Sequence, residues 1–227
     1  MKLIKKQAGF TLVEIAIVLV IVGLLLVGVL KGQELIDSAR VKNTINDMDG
    51  IVAANTAYYD RYKTLPGDDG PTASLTPRGG SWATMVGTAV PNGAIADTVL
   101  VANTFVPSAT GTENELFFRH LRAGGYITGD PAATLVNALP NNAWGGKIGI
   151  INIASIQGRP AVARLMLCLG SVPGKAAAAL DRQLDDGVPG TGAFRANAGN
   201  GNTIPAAAAS AVPYDETLFY TVCRDFP

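Results

Sequence analysis

Charge is scarce in this chain of 227 residues. Lys, Arg, Asp and Glu make up 16% of it, against about 25% in an average soluble domain. The 18 basic side chains balance 18 acidic ones. That excludes a highly charged disordered chain and any global basic field for nucleic acid. Histidine occurs once. A multi-histidine metal site is therefore excluded, and no Ser-His-Asp or Cys-His arrangement is readable around His120. Two cysteines are too few for a disulfide-dense scaffold and lack zinc-site spacing. Proline is missing from Phe10 through Leu65, so nothing there fixes a helix break. Glycine is plentiful instead, at 26 residues, which suggests a loop-rich fold.

The apolar content is very uneven. Phe10 to Leu30 reads FTLVEIAIVLVIVGLLLVGVL, in which only Thr11, Glu14, Gly23 and Gly28 are not apolar. At 1.5 Å per residue this run is about 31 Å long, enough to cross a bilayer core. Lys2, Lys5 and Lys6 precede it, and basic residues stay cytoplasmic, so the rest of the chain should be translocated. A secretory signal has a shorter apolar core and a small-residue cleavage site; Lys31-Gly32-Gln33-Glu34 follows here instead. A plain single-span anchor satisfies length and charge equally well.

Glu14 separates these readings. A carboxylate within a membrane span is costly and is expected to have a partner. The span holds no cation, and the nearest in sequence are Lys6 and Lys5. A cut between Gly9 and Phe10 would create an α-amino group four residues before Glu14, positive near neutral pH. In a bundle of copies, one chain's amine could pair with another's Glu14. The pair would neutralise the carboxylate and fix axial register.

The stretch Lys5-Lys6-Gln7-Ala8-Gly9-Phe10-Thr11-Leu12-Val13-Glu14 resembles the leader and mature start of type IV pilins and type II secretion pseudopilins. The resemblance implies cleavage after Gly9 by a prepilin peptidase, N-methylation of Phe10, and assembly guided by Glu14. It also implies the pilin fold, an α+β class in which a long N-terminal helix packs on a small antiparallel sheet. The expected parts are a leader at 1–9, a transmembrane or filament-core helix at 10–31, and an exported domain at 32–227 that starts with an amphipathic helix over 32–62. Val41, Ile45, Met48, Val52, Tyr59 and Tyr62, with Asn55 in the gap, follow steps of three and four and predict its buried stripe. Gly23, Gly28 and Gly32 are its weak points, and local melting near Gly28–Gly32 during assembly is a hypothesis.

Beyond Leu65-Pro66-Gly67, a turn signal, residues 71–112 read as an irregular loop region. Glu113 to Ala123 predicts a short helix with Leu116, Phe117, His120 and Leu121 on its apolar face, His120 as a half-buried packing residue. Lys147 to Ile153, Ala161 to Cys168 and Leu218 to Arg224 predict strands. Ala176 to Leu184 predicts another short helix, ending in an Asp/Gly turn. Asp68, Asp69, Asp185 and Asp186 read as solvated turn formers. Asp181, Asp185 and Asp186 could supply oxygens to Ca²⁺, but the EF-hand pattern is absent, and some pseudopilins bind calcium in a C-terminal loop that cannot be mapped onto this sequence. The capped helix and turn are preferred, with no cofactor.

Cys168 and Cys223 lie on predicted strands in an oxidising compartment, and pilins often carry a C-terminal disulfide; a bridge between them is expected. The expected role is structural rather than enzymatic: a filament subunit, leaning to a minor or atypical pilin, with a pseudopilin as the alternative. Its partners would be the prepilin peptidase, other pilin subunits, an inner-membrane assembly platform and, before assembly, membrane lipid; no direct nucleic-acid binding is expected. Its place would be the bacterial inner membrane, single-pass with the N-terminus cytoplasmic, and then a periplasmic or extracellular filament. The alternative of a different class is a membrane-anchored periplasmic binding module that never polymerises.

Overall fold

The computed structural model describes residues 11–88, 91–95, 104–107, 109–152, 165–199, 201–202 and 213–226. Gly9, Phe10 and the leader lysines lie outside these residues. So do residues 161–164 of the second expected strand, Ile153, and the alanine run at 206–209. The chain divides into two units, Met1–Arg40 and Val41–Pro227.

Helix α1 spans Leu12–Tyr62 and is unbroken at Gly23, Gly28, Gly32 and Gly50. No atom of the described residues outside the helix's own nearby backbone lies within 4 Å of where a Cβ would sit at any of them, so packing within the single chain does not dictate these glycines. Within the second unit the helix buries Val41, Thr44, Met48, Ile51, Ala54 and Tyr58. That shifts the expected stripe rather than replacing it. Val41 and Met48 are buried, and Ile45 and Tyr62 pack half-buried against the core, with Val52 also half-buried; the buried partners fall three residues after Val41 and Met48, at Thr44 and Ile51. Tyr58 is fully buried and Tyr59 is 48% exposed. Each flank carries apolar residues, so periodicity alone could not choose between them. The Tyr58 hydroxyl settles the choice, because it reaches a buried carboxylate.

Lys63 ends α1 in the left-handed conformation, at φ 58. Pro66 and Gly67 then turn the chain. Gly67 has φ 95, and a Cβ there would lie 2.4 Å from the Glu113 carbonyl oxygen, so only glycine fits. The following segment is more ordered than expected. Thr72–Leu75 forms α2, and two 3₁₀ turns follow at Thr76–Arg78 and Gly80–Thr84. Leu75, Trp82, Met85 and Ile95 enter the core. Apolar anchors spaced irregularly leave no period to detect, which is why the segment read as a loop.

Helix α3, Glu113–Ala123, buries every residue from Asn114 to Leu121. It is covered all round rather than on one face. The buried Glu115 is accommodated by accepting bonds from the Gly111 N–H (2.6 Å), the Leu135 N–H (3.2 Å) and the Arg119 guanidinium (3.4 Å), as a buried charge requires.

Four strands complete the α+β fold: β1 Ile148–Asn152, β2 Leu165–Pro173, β3 Phe194–Ala198 and β4 Phe219–Asp225. They form one antiparallel sheet in the order β1-β2-β4-β3. Helix α4, Gly174–Leu184, connects β2 to β3, so this link is a helical crossover and not a hairpin. The stripe residues of α1 after Arg40 share one apolar core with Phe117, Ile150, Leu167 and Val222. Arg224 of β4 also pairs with Asp49 of α1 at 2.6 Å, a surface contact worth at most about 1 kcal/mol.

Cys168 and Cys223 face each other across the central β2–β4 pair and are joined by a disulfide. Both are fully buried. The bridge closes a loop with sequence separation 55, which the chain-entropy model values at about 4 kcal/mol. Replacing both cysteines with alanine is expected to lower unfolding free energy by that order, read by denaturant titration. A double variant within about 1 kcal/mol of the parent would refute the entropic account.

Candidate functional site

The first candidate is the start of α1. Thr11 precedes the helix, and its hydroxyl oxygen accepts from the Glu14 N–H at 3.3 Å. In return Glu14 Oε2 accepts from the Thr11 N–H at 2.8 Å and from the Thr11 hydroxyl at 2.8 Å. This is a reciprocal capping box, in which the residue before the helix and the third residue inside it satisfy each other's orphan donors. The positive end of the helix dipole also favours a carboxylate in the first turn. Glu14 therefore finds partners within its own chain, although the span has no cation. The signature Thr11-x-x-Glu14 was present in the sequence, and Thr11 is the residue that reading for charge alone passes over.

From Leu12 to Leu30 the large apolar side chains are exposed, from 45% at Val22 to 91% at Leu12. The helix is long and apolar enough there to cross a membrane. A run that is apolar all round seeks lipid or a packed bundle. Residues 4–30 match the family described as the prokaryotic N-terminal methylation motif. The chain carries the class III signal peptide of type IV pilins and pseudopilins. The motif and the apolar helix fit membrane anchoring before filament assembly. No curated protein and no solved structure matches the chain.

The second candidate is the acidic turn after α4. Asp181, Asp185 and Asp186 each place an oxygen within 4.8 Å of the others. Their oxygens serve the turn. Asp181 accepts from the Gly187 N–H (3.1 Å) and the Tyr214 hydroxyl (2.7 Å). Asp185 accepts from the Phe194 N–H (2.9 Å). Asp186 accepts from the Val188 N–H (2.8 Å) and the Thr191 hydroxyl. Burial raises Asp181 above the usual carboxylate range against the pull of these bonds. Ca²⁺ takes six to eight oxygens, and the oxygens of these three carboxylates already accept the turn's own donors.

A third cluster sits where the 64–88 segment meets α1 and α3. Asp68 and Asp69 are buried, at 1% and 2% exposure, which corrects their reading as solvated turn formers. The Asp68 carboxylate accepts from the Asn92 and Gly93 N–H groups at 2.9 and 2.7 Å. Asp69 takes two bonds from the Arg78 guanidinium, at 2.6 and 3.1 Å, and one from the Tyr58 hydroxyl at 2.5 Å. Burial would raise Asp69, but the Arg78 and Tyr58 bonds outweigh it and hold the carboxyl below its usual range. Arg78 lies over the rings of Tyr62 and Trp82, 4.3 and 4.8 Å from their centroids, an added cation–π contribution.

His120 is fully buried beside this cluster, not half-buried, with its ring stacked on Tyr58. Its Nδ1 accepts from the Gly67 N–H at 3.1 Å. The proton of the neutral ring must then sit on Nε2, which donates to the Val86 carbonyl at 2.9 Å. Protonating Nδ1 would set two N–H groups against each other. Burial is the main cause that pushes the pKa down to about 4 from 6.5. The folded state thus holds His120 neutral where the unfolded chain would protonate it. Its contribution is complete above pH 6.5 and is lost as pH falls toward 4, in all about 3 kcal/mol. A series of thermal midpoints should fall across that window. His120→Asn should be less stable at neutral pH and should lack that part of the slope; an unchanged slope would remove the assignment.

Proposed function

We propose that the chain is a structural subunit of a type IV pilus-like filament, leaning to a minor or atypical pilin. The single observation carrying this reading is the methylation motif at residues 4–30 running straight into an exposed apolar helix. In this reading the prepilin peptidase cuts after Gly9 and Phe10 is methylated. Residues 10–31 are the span and later the filament core, and residues 32–227 are exported. The new Phe10 amine pairs with Glu14 of a neighbouring subunit and sets axial register. An inner-membrane platform drives assembly, and local melting near Gly28–Gly32 in the filament belongs to the same proposal.

The test is intact mass of the protein recovered from membranes and from sheared filaments. Loss of residues 1–9 plus one methyl group is the expected result. An uncut N-terminus would turn the reading toward a membrane-anchored module that does not polymerise. Finding the processed subunit only in short periplasmic assemblies of a secretion machine would assign it to the pseudopilins.

A further inference from the structure

Asn92-Gly93 sits in a turn whose hydrogen bonds converge on one peptide unit. The Gly93 N–H donates to Asp68 Oδ2 at 2.7 Å, and the Asn92 N–H donates to Asp68 Oδ1 at 2.9 Å. The Asn92 side chain folds forward over the Gly93 peptide, where its Oδ1 accepts from the Ala94 N–H at 2.9 Å. Gly93 has φ 80, and no described atom lies within 4 Å of where a Cβ would sit there. Asp68 is buried, whereas Asn92 and Gly93 are exposed. A carboxylate thus holds the proton of the Gly93 amide, and a backbone donor holds the carboxamide oxygen beside it. Water has access to both residues.

The same turn occurs a second time, with an acid in place of the amide. At Asp186-Gly187 the Gly187 N–H donates to Asp181 Oδ1 at 3.1 Å, and Asp186 Oδ1 accepts from the Val188 N–H at 2.8 Å. Asp181 is buried, and Gly187 has φ 79. The two turns share the buried carboxylate, the left-handed glycine and the forward-folded side chain. An aspartate at position 92 would therefore keep the bonds of its turn. The parts needed to convert Asn92 are also present. Gly93 supplies a nitrogen with no side chain beside it, Asp68 a base on that nitrogen's proton, and Ala94 an N–H on the oxygen where charge would develop.

We propose that Asn92 is a deamidation site promoted by its own turn, independent of filament assembly. The Gly93 nitrogen bonds to Asn92 Cγ as its proton passes to Asp68. The adduct expels the side-chain nitrogen, which takes that proton and leaves as ammonia. Water then opens the cyclic imide, at one carbonyl to aspartate and at the other to isoaspartate. No oxidant or reductant enters. The isoaspartyl form lengthens the backbone between the two N–H groups that Asp68 holds, so aged chains lose this clamp. The test incubates the full chain, in a non-ionic detergent at neutral pH, and follows Asn92 by peptide mapping with mass detection. Conversion to aspartate and isoaspartate is expected, at least about tenfold faster in the folded chain than in urea. Asp68→Asn removes the base and should slow conversion at least about tenfold. The urea comparison uses the parent chain, so it decides the matter even if that variant misfolds. An Asn92 that stays intact, or converts no faster folded than in urea, overturns the proposal. So does an unchanged rate in a folded Asp68→Asn chain.

Discussion

Replacing Glu14 with alanine is expected to leave the chain in the membrane and to abolish its filament. The substitution makes the run from Phe10 to Leu30 more apolar, so insertion is not weakened. What it removes is the one acidic side chain in that run, and with it the proposed partner of a neighbour's Phe10 amine. Membrane fractions should hold the same amount of subunit, while sheared filaments fall at least about tenfold, the effect of roughly 1.4 kcal/mol per added subunit. Glu14 also caps its own helix, so loss of assembly alone would not separate pairing from capping. Glu14→Gln makes that separation. It keeps an acceptor for the Thr11 N–H and loses the charge. Failure of both variants assigns the effect to charge, whereas assembly of the glutamine variant alone assigns it to the cap. Normal filament yield from Glu14→Ala would sink the register hypothesis.

The largest effect on the exported domain is expected at Asp69. Asp69→Ala strips Arg78 of a two-bond partner and leaves the Tyr58 hydroxyl without its acceptor. Breaking one side of a buried ion pair costs about 3–5 kcal/mol. Arg78 keeps a route to water, with 22% of its side chain exposed, so the lower end, about 3 kcal/mol, is expected. Tyr58→Phe should cost about 1 kcal/mol, and combining the two should cost less than their sum, because both remove the same bond. Denaturant titration of the three variants measures this. A loss below about 1 kcal/mol for Asp69→Ala would show that the node contributes little beyond ordinary packing.

How far these features could be read from sequence depended on their range. The span, α3 and strands β1, β2 and β4 declare themselves through unbroken apolar runs or alternation over a few residues. The capping box is equally local, and Thr11 needed only the four-residue pattern that ends in Glu14. Strand β3 is different. Phe194-Arg195-Ala196-Asn197-Ala198 has little strand preference and forms its ladder because β4 lies beside it. The choice of Tyr58 over Tyr59 likewise depended on Asp69, eleven residues away, and on Arg78 beyond it. Asp68 and Asp69 sit in a turn-like string that suits solvent, and only the donors folded over them make burial tolerable. The methylation motif was legible because it is contiguous.

The capping box alters what a contact between subunits can supply. If Glu14 began as a bare charge, capturing an amine would release the whole penalty of burying it. Within one chain, though, the carboxylate already accepts two donors from Thr11. Both bonds fall on Oε2, so in the proposed filament a neighbour's amine would add to this arrangement, and the gain would be smaller than for a bare charge. There such a moderated gain would discriminate between registers without locking them, so a misplaced subunit could shift back before its neighbours close over it.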